Sequence, residues 1–452
     1  MNSRKFIYSS RHARAVVAFV LLVVVCISVG VRRAGAQTLS GVERDRGRAM
    51  LGIIRDEVKK NYYDATYRGM DVDARFKAAE EKIGQATSLG QVFGIIAQAL
   101  AELNDSHTFF LPPPRAARAD YGWEMQTIGD KTFIVAVKPG SDAEAKGVKE
   151  GDELLLLDGF KPSRANIWKM NYRYHTLAPT AGVRMVLQSP DQGPRSLDVK
   201  TKIVEGKRRL DFREIESEDI WNYLREADAD AHHNRHRYYE DMEGVFVWKM
   251  PRFDLSADEI DSMMSRAKKR KAMILDLRGN GGGLVTTLQR LVANVFDHDV
   301  KIADLKGRKE MKPHIAKTRG GDNVFKGKLV VLIDSKSGSA SELFARLVQL
   351  EKRGTVIGDR SAGAVMRAQP YTYEMGAATV ISYGVLITDA DLIMTDGKSL
   401  EHTGVTPDEL LLPTAQDLAA RRDPVLARAA AILGLNLTPD KAGTLFPLEW
   451  RK

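Results

Sequence analysis

The stretch Ser337-Gly338-Ser339-Ala340-Ser341-Glu342 decides the fold when it is read with Asp276-Leu277-Arg278-Gly279-Asn280-Gly281-Gly282-Gly283, about sixty residues earlier. The apolar run over 329–333 reads as a buried strand, and the residues from Glu342 to Val348 carry helical spacing. A serine between a strand and a helix is presented on a tight turn. Its oxygen is exposed there, and N–H groups at the helix start can receive a developing negative charge. The earlier segment repeats the pattern. A strand-like run over 273–275 precedes glycines that let the backbone approach a substrate closely. One segment reads as a nucleophile and the other as an oxyanion site. By spacing alone, a plain structural turn remains the alternative.

Outward from this pair, strands and helices alternate. Strands are expected over 245–249, 272–277, 329–333, 356–358 and 378–386, and helices over 257–269, 284–295 and 341–350. That alternation predicts an α/β core. A helical tail over 415–433 is interrupted by Pro424. Residues 206–245 are highly charged and include His232, His233 and His236. His233 and His236 can share a helix face as a metal pair. No carboxylate or cysteine completes that spacing, so a solvated connection is expected and no metal.

Residues 118–205 form a different unit. A strand is expected over 132–137, then Gly140-Ser141-Asp142-Ala143-Glu144-Ala145-Lys146-Gly147-Val148 as a short helix with a glycine stop. Gly151-Asp152-Glu153-Leu154-Leu155-Leu156-Leu157 follows as a turn and a buried strand. This order resembles a PDZ domain of the bacterial protease form. The resemblance implies a sheet edge that accepts a peptide and a loop of N–H groups that holds its C-terminal carboxylate. The loop would be Tyr121, Gly122, Trp123, Glu124 and Met125. Trp123 would floor an apolar pocket or serve as a core aromatic. Residues 42–63, 73–86 and 89–103 carry helical periodicity, with Ser88 as a cap, and Leu111-Pro112-Pro113-Pro114 reads as a linker.

The first 36 residues read as a secretion signal. Arg4, Lys5, Arg11 and Arg14 precede an apolar run over 15–31, and Ala34-Gly35-Ala36 predicts cleavage before Gln37. Arg32 and Arg33 leave an uncleaved membrane anchor as the alternative. Either way the remainder is expected outside the cytoplasm, periplasmic or extracellular. The single cysteine, Cys26, lies in this segment, so the mature chain is expected to have neither disulfide nor thiol chemistry. The formal charge of +9 falls to about +3 without the signal, which gives no ground for nucleic-acid binding.

Several ordered strings together resemble the tail-specific, or C-terminal-processing, serine peptidases and the related tricorn protease. These are Leu103-Asn104-Asp105-Ser106-His107-Thr108, the PDZ pattern, D-L-R-x-N-G-G-G, S-A-S-E, and Glu401-His402-Thr403-Gly404-Val405-Thr406-Pro407-Asp408. The resemblance implies a multi-domain α/β protein. Its parts are a signal over 1–36, a helical N-terminal unit over 37–114, a PDZ domain over 115–205, a protease core of the ClpP/crotonase-like kind over 206–412, and a helical tail over 413–452. It places the nucleophile at Ser339, ahead of Ser337 and Ser341. Many members pair this serine with a lysine in a later G-K-G string. Here Ala364 stands at that position, and Lys336 and Arg367 are near it without matching it. Lysine-type members also show D-P-[FY]-[ST] where this chain reads Asp105-Ser106-His107-Thr108. Tricorn-type members carry Ser-His there.

The resemblance therefore implies a Ser-His-Ser-Glu relay: Ser339 as nucleophile, His107 as base, Ser106 and Glu401 orienting the imidazole. The N–H of Ala340 would form half of the oxyanion hole, and Gly282 or Gly283 the other half. The implied function is an exported serine endopeptidase that works through an acyl-enzyme, needs no cofactor, and takes protein or peptide substrates by their C-termini. An ordinary histidine base predicts activity that falls as pH drops through about 6–7. The rival reading is a non-catalytic PDZ scaffold that only binds peptides.

Overall fold

The computed structural model describes residues 39–115, 117–205, 238–376, 380–447 and 450. The expected signal, Cys26 and the histidines at 232, 233 and 236 lie outside the described residues.

The core is built on five parallel strands. These are β10 (Val245–Lys249), β11 (Ala272–Asp276), β14 (Lys328–Ile333), β15 (Thr355–Gly358) and β18 (Glu409–Leu410), in the spatial order β18-β15-β14-β11-β10. β9 (Tyr239–Met242) adds an antiparallel edge against β10. Alternate residues divide cleanly between two faces. Phe246, Trp248, Met273, Leu275, Leu329 and Val331 meet the helices α6 (Ala257–Ala267), α7 (Val285–Val295) and α8 (Ala340–Leu350). Val245, Val247, Ile274, Val330 and Leu332 meet the tail helix α10 (Pro424–Ile432). Both faces are covered, which is why these strands read as unbroken apolar runs.

A second sheet is antiparallel. It runs β1 (Phe109–Leu111), β17 (Ile381–Ile393), β12 (Val300–Lys306), β13 (His314–Ala316), and β16 (Met366–Met375) also pairs with β17. The expected strand over 378–386 is thus the start of a much longer one. Polar residues Thr388, Asp389 and Asp391 interrupt its apolar pattern. Strands β12, β13 and β16 carry mixed burial and gave no clear alternation.

The helices α1 (Gly41–Asn61), α2 (Val72–Gly84) and α3 (Leu89–Ala101) start at Ser40, Asp71 and Ser88, whose side chains accept N–H bonds from the first turn. Their apolar faces meet Phe110, Tyr383, Val385 and Ile387 in one cluster. The segment after α3 therefore joins the antiparallel sheet as β1, and the expected linker at 111–114 begins with its last residue.

Residues 117–205 form a separate antiparallel sheet in the order β3 (Trp123–Ile128), β4 (Lys131–Val137), β5 (Glu153–Leu157), β6 (Gly182–Gln188), β7 (Arg195–Lys200). β2 (Ala117–Asp120) pairs with β8 (Lys202–Glu205) beside it. The short helices α4 (Asp142–Ala145) and α5 (Ile167–Asn171) complete the unit. In the C-terminal tail, Pro424 separates α9 (Ala415–Ala419) from α10, and α11 (Pro439–Gly443) follows.

One ion-pair network ties this tail to the core. Asp276 at the end of β11 accepts from Arg278 at 2.8 Å and lies 3.1 Å from Lys249. Those two cations hold the buried Asp276 carboxyl well below the usual range. Arg278 also meets Asp423 with two bonds of 2.9 and 2.7 Å, and Asp423 caps α10 through Leu426 N–H. Asp423→Ala should remove a cap and leave a part-buried guanidinium short of a partner. A loss of about 3 kcal/mol in denaturant-unfolding free energy is expected.

Candidate active site

Parallel pairing in register, Asp276 opposite Leu332, ends β11 and β14 side by side. The glycine turn and the serine turn leave from these adjacent carboxyl ends, where open α/β sheets gather their sites. The two turns are bonded together. Gly338 N–H donates to Asn280 O at 3.0 Å, and Ser341 Oγ donates to the same carbonyl at 2.8 Å. Ser337 Oγ donates to Leu277 O at 2.9 Å. Ser337 and Ser341 are fully buried in these roles, so neither hydroxyl reaches the cleft.

Ser339 is different. It lines a cleft of about 950 Å3 together with Ser106, His107, Gly281, Gly283 and Ala340. It has φ +51° and ψ −115°, a strained conformation for a residue with a Cβ, of order 1–3 kcal/mol. The structure that holds it there is a buried carboxylate. Glu342 accepts from Ser339 N–H (3.0 Å), Gly363 N–H (2.7 Å), Ala364 N–H (3.0 Å) and Ser361 Oγ (2.6 Å). No cation pairs with it among the described residues, and burial pushes it up to about 7 against the pull of four donors. Ser339 N–H also reaches Ala364 O at 2.9 Å. Ala364 thus stands directly beside the serine turn. Lys336 turns instead toward Glu124, at 3.6 Å.

Gly282 packs under Ser339. A Cβ there would lie 2.6 Å from Ser339 Cβ and 2.9 Å from Ala340 N. Its N–H, however, donates to Asn280 Oδ1 at 3.0 Å. The expectation that Gly282 supplies an oxyanion donor is therefore corrected: that N–H is engaged within its own turn. Gly283 lines the cleft, as does Ala340, the first residue of α8, whose N–H has no acceptor within the helix.

His107 arrives from the other sheet, on the loop between α3 and β1. Asp105 folds that loop. Its Oδ1 accepts from His107 N–H (2.9 Å), Thr108 N–H (2.7 Å) and Thr388 Oγ1 (2.7 Å). Glu401 fixes it to the core. Glu401 Oε1 accepts from Ser106 N–H at 2.7 Å, and Oε2 from Ser106 Oγ at 2.8 Å and Val365 N–H at 2.9 Å. Ser106 Oγ lies 2.7 Å from His107 Nδ1. The single Ser106 proton goes to the carboxylate, so the hydroxyl accepts from Nδ1–H. This tautomer leaves Nε2 as the basic nitrogen. Burial pushes His107 down to about 4 and raises Glu401 above its ordinary value, although three donors and the neighbouring His402 oppose the latter. Burial thus favours the neutral ring of His107 below the ordinary histidine range.

The expected carboxylate loop is not open. Tyr121, Trp123 and Met125 are buried in the core of the 117–205 unit. Gly122 has φ +74° and its N–H donates to Asp120 Oδ1 at 3.1 Å, while Asp120 Oδ2 pairs with Lys138 at 2.5 Å. An internal carboxylate already occupies the donor.

The sequence offered a signal for Glu342 that was read only as part of a motif. Ser339-x-x-Glu342 is a helix-start pattern. Ser361 carried no signal, because its partners Glu342 and Val405 are distant in the chain.

Residues 245–411 match the family model described as Peptidase family S41. The match covers this core and leaves the rest of the chain outside it. The chain is 23% identical over 360 residues to the tail-specific protease of Haemophilus influenzae, covering 74% of this chain and 47% of that protein. It is 23% identical over 343 residues to carboxyl-terminal-processing peptidase 1 of Arabidopsis thaliana, covering 72% and 64%. The chain therefore spans about half to two thirds of these relatives. The crystal structure of mature CPAF matches in fold, with a TM-score of 0.61 at 15% identity over 83% of this chain and 94% of that one.

Glu342→Gln tests the buried carboxylate. An amide keeps one acceptor oxygen but turns N–H toward N–H. At least two of the four donors lose their partner, at about 1–3 kcal/mol each. Unfolding free energy should fall accordingly, and kcat for a peptide substrate should fall with little change in KM, because the cost falls on the nucleophile's position. Wild-type kinetics in a folded Glu342→Gln protein would show that the carboxylate does not hold Ser339.

Proposed function

We propose that this protein is a serine endopeptidase that cleaves through an acyl-enzyme on Ser339, with His107 as base. The observation that carries the reading is the unbroken chain Glu401–Ser106–His107, whose Ser106 and His107 line the same cleft as Ser339. His107 Nε2 takes the Ser339 hydroxyl proton as Oγ attacks the scissile carbonyl carbon. The carbonyl oxygen becomes an oxyanion and is received by the N–H groups of Ala340 and Gly283. The C–N bond breaks as His107 returns the proton to the leaving amine. A water molecule, deprotonated by the same nitrogen, then attacks the ester carbonyl; the acyl–Oγ bond breaks, the acid product leaves, and His107 returns the proton to Ser339 Oγ. Ser106 and Glu401 hold the ring and stabilise its charged form. Ala364 in place of a lysine supports histidine as the base.

Export is part of the proposal and rests on the sequence pattern over 1–36. Recognition of substrate C-termini by residues 117–205, read as a PDZ domain, also belongs to it. It requires a terminal carboxylate to displace Asp120 from Gly122 N–H. Peptides as free acids should then bind more tightly than their amides, by calorimetry on the whole chain.

Ser339→Ala and His107→Ala should each lower kcat by about 10⁴-fold or more on a casein-derived peptide, with unfolding transitions unchanged. A fluorophosphonate should label Ser339 alone; absence of labelling would favour a peptide-binding scaffold.

The pH profile follows from burial of His107. A base whose pKa is depressed stays neutral as pH falls, so protonation of His107 should lower kcat/KM on an uncharged peptide only as pH approaches about 4. The Glu342 carboxyl, pushed up to about 7, protonates earlier and should give the first acid limb, near that value, as acceptors of the serine turn are lost. Glu342→Gln should remove that limb; one that persists there would show that the ring is solvated in the free enzyme.

A further inference from the structure

The cleft that holds Ser339 and His107 is one-signed in charge. Lys312 and Arg367 line it beside His314, whose ring burial and Arg367 keep toward the neutral form, and none of its lining residues is Asp or Glu, although the chain carries 59 acidic residues. Lys312 and His314 come from the approach to β13 and its first residue; Arg367 is the second residue of β16. The three therefore sit on a wall made by the antiparallel sheet, across from the serine turn of the parallel one. Lys312 is exposed, and no carboxylate among the described residues lies within ion-pair distance of it. Arg367 is only loosely partnered. Its Nη1 lies 3.2 Å from the Met311 sulfur and its Nη2 3.5 Å from Asp389, which is not a lining residue. His314 keeps a buried Nε2 without a hydrogen-bond partner. Leu305 and Leu392 add apolar surface to this wall, and Leu288 and Leu343 face the cleft from α7 and α8.

Apolar walls accept many side chains and discriminate among them weakly. A cation discriminates by charge, more strongly where it is half-buried, as Arg367 is, than where it is exposed and screened, as Lys312 is. Arg adds a planar fork matched to a carboxylate. A single-signed cleft with low-dielectric walls also draws an oppositely charged ligand from solution.

We propose that this wall selects substrates that carry a carboxylate close to the scissile bond, with Lys312 and Arg367 as specificity-determining residues. The carboxylate is an Asp or Glu side chain or the substrate's own C-terminus. The inference rests on the peptidase reading above and adds the substrate class.

The test uses the full chain and a set of peptides with one apolar sequence. The residue on each side of the cleaved bond is Glu, Gln or Lys, and each peptide is made as free acid and as amide. kcat/KM should be about tenfold or more higher for Glu than for Gln, and higher still over Lys. If the C-terminus is the source, the free acid should lead the amide by a similar factor in the Gln peptides. Either advantage should shrink as salt rises from about 50 to 500 mM. In the Lys312→Gln, Arg367→Gln double variant the ratio should approach one. The salt dependence in the wild-type protein tests the same point should that variant fail to fold. Cleavage of all peptides within twofold of one another, or preference for Lys, overturns the inference and leaves the peptidase reading intact. Cleavage of none, with no fluorophosphonate labelling of Ser339, overturns both.

Discussion

The parallel, in-register pairing of β11 with β14 is the constraint on which the rest depends. It brings together two turns that the sequence separates by about sixty residues and points both out of the same sheet edge. Each turn then completes the other. Asn280 O receives Gly338 N–H and Ser341 Oγ, and Leu277 O receives Ser337 Oγ. The small residues that made the serine string look like a generic turn are therefore specific. Gly282 leaves no room for a side chain against Ser339, and the two buried serines bond across the turns.

Two buried carboxylates do different work on either side of the cleft. Glu342 accepts three N–H groups and one hydroxyl and fixes the backbone of the serine turn. Glu401 accepts two N–H groups and one hydroxyl and fixes the loop that carries the histidine. Burial raises both, and their donors offset part of that cost. Neither depends on a close Lys or Arg. Directional N–H bonds replace ion pairs, and so position is specified more tightly than charge alone would specify it. Burial acts on His107 in the opposite sense and keeps its ring neutral.

Much of this was legible in the sequence where the apolar pattern was strong. The strands at 245–249 and 329–333 and the helices over 257–267 and 285–295 follow from unbroken or helical periodicity. Ser339, His107, Ser106 and Glu401 stood out through ordered motifs, and the structure gathers the last three into one hydrogen-bonded chain. What was not legible was long-range. β17 carries polar residues through a buried sheet because Thr388 satisfies Asp105 and Thr108, a pairing that spans some 280 residues of chain. Gly282 and Gly283 were indistinguishable until Asn280 was seen to take one N–H. The competitor at the Tyr121–Met125 loop is local, since Asp120 precedes Gly122 by two residues and accepts from its N–H.

The two halves of the candidate site rest on separate hydrophobic clusters. Ser339 belongs to the parallel sheet and its helices, while His107 follows α3 into β1 on the antiparallel sheet. Their relative position is set where the polypeptide crosses between them. Glu401 bonds Ser106 on one side and Val365 N–H on the other, one residue beyond the Ala364 that Glu342 also holds. The segment 361–365 is thus shared by both carboxylates. The resemblance read from the sequence puts a lysine on this segment in many members, at the position of Ala364. Here the segment couples the serine turn to the histidine loop through its N–H groups. On the proposed reading, a histidine base leaves the serine turn as it is. It needs a Ser-His pair brought to Glu401 from the helical unit, and the pairing of β1 with β17 supplies that delivery.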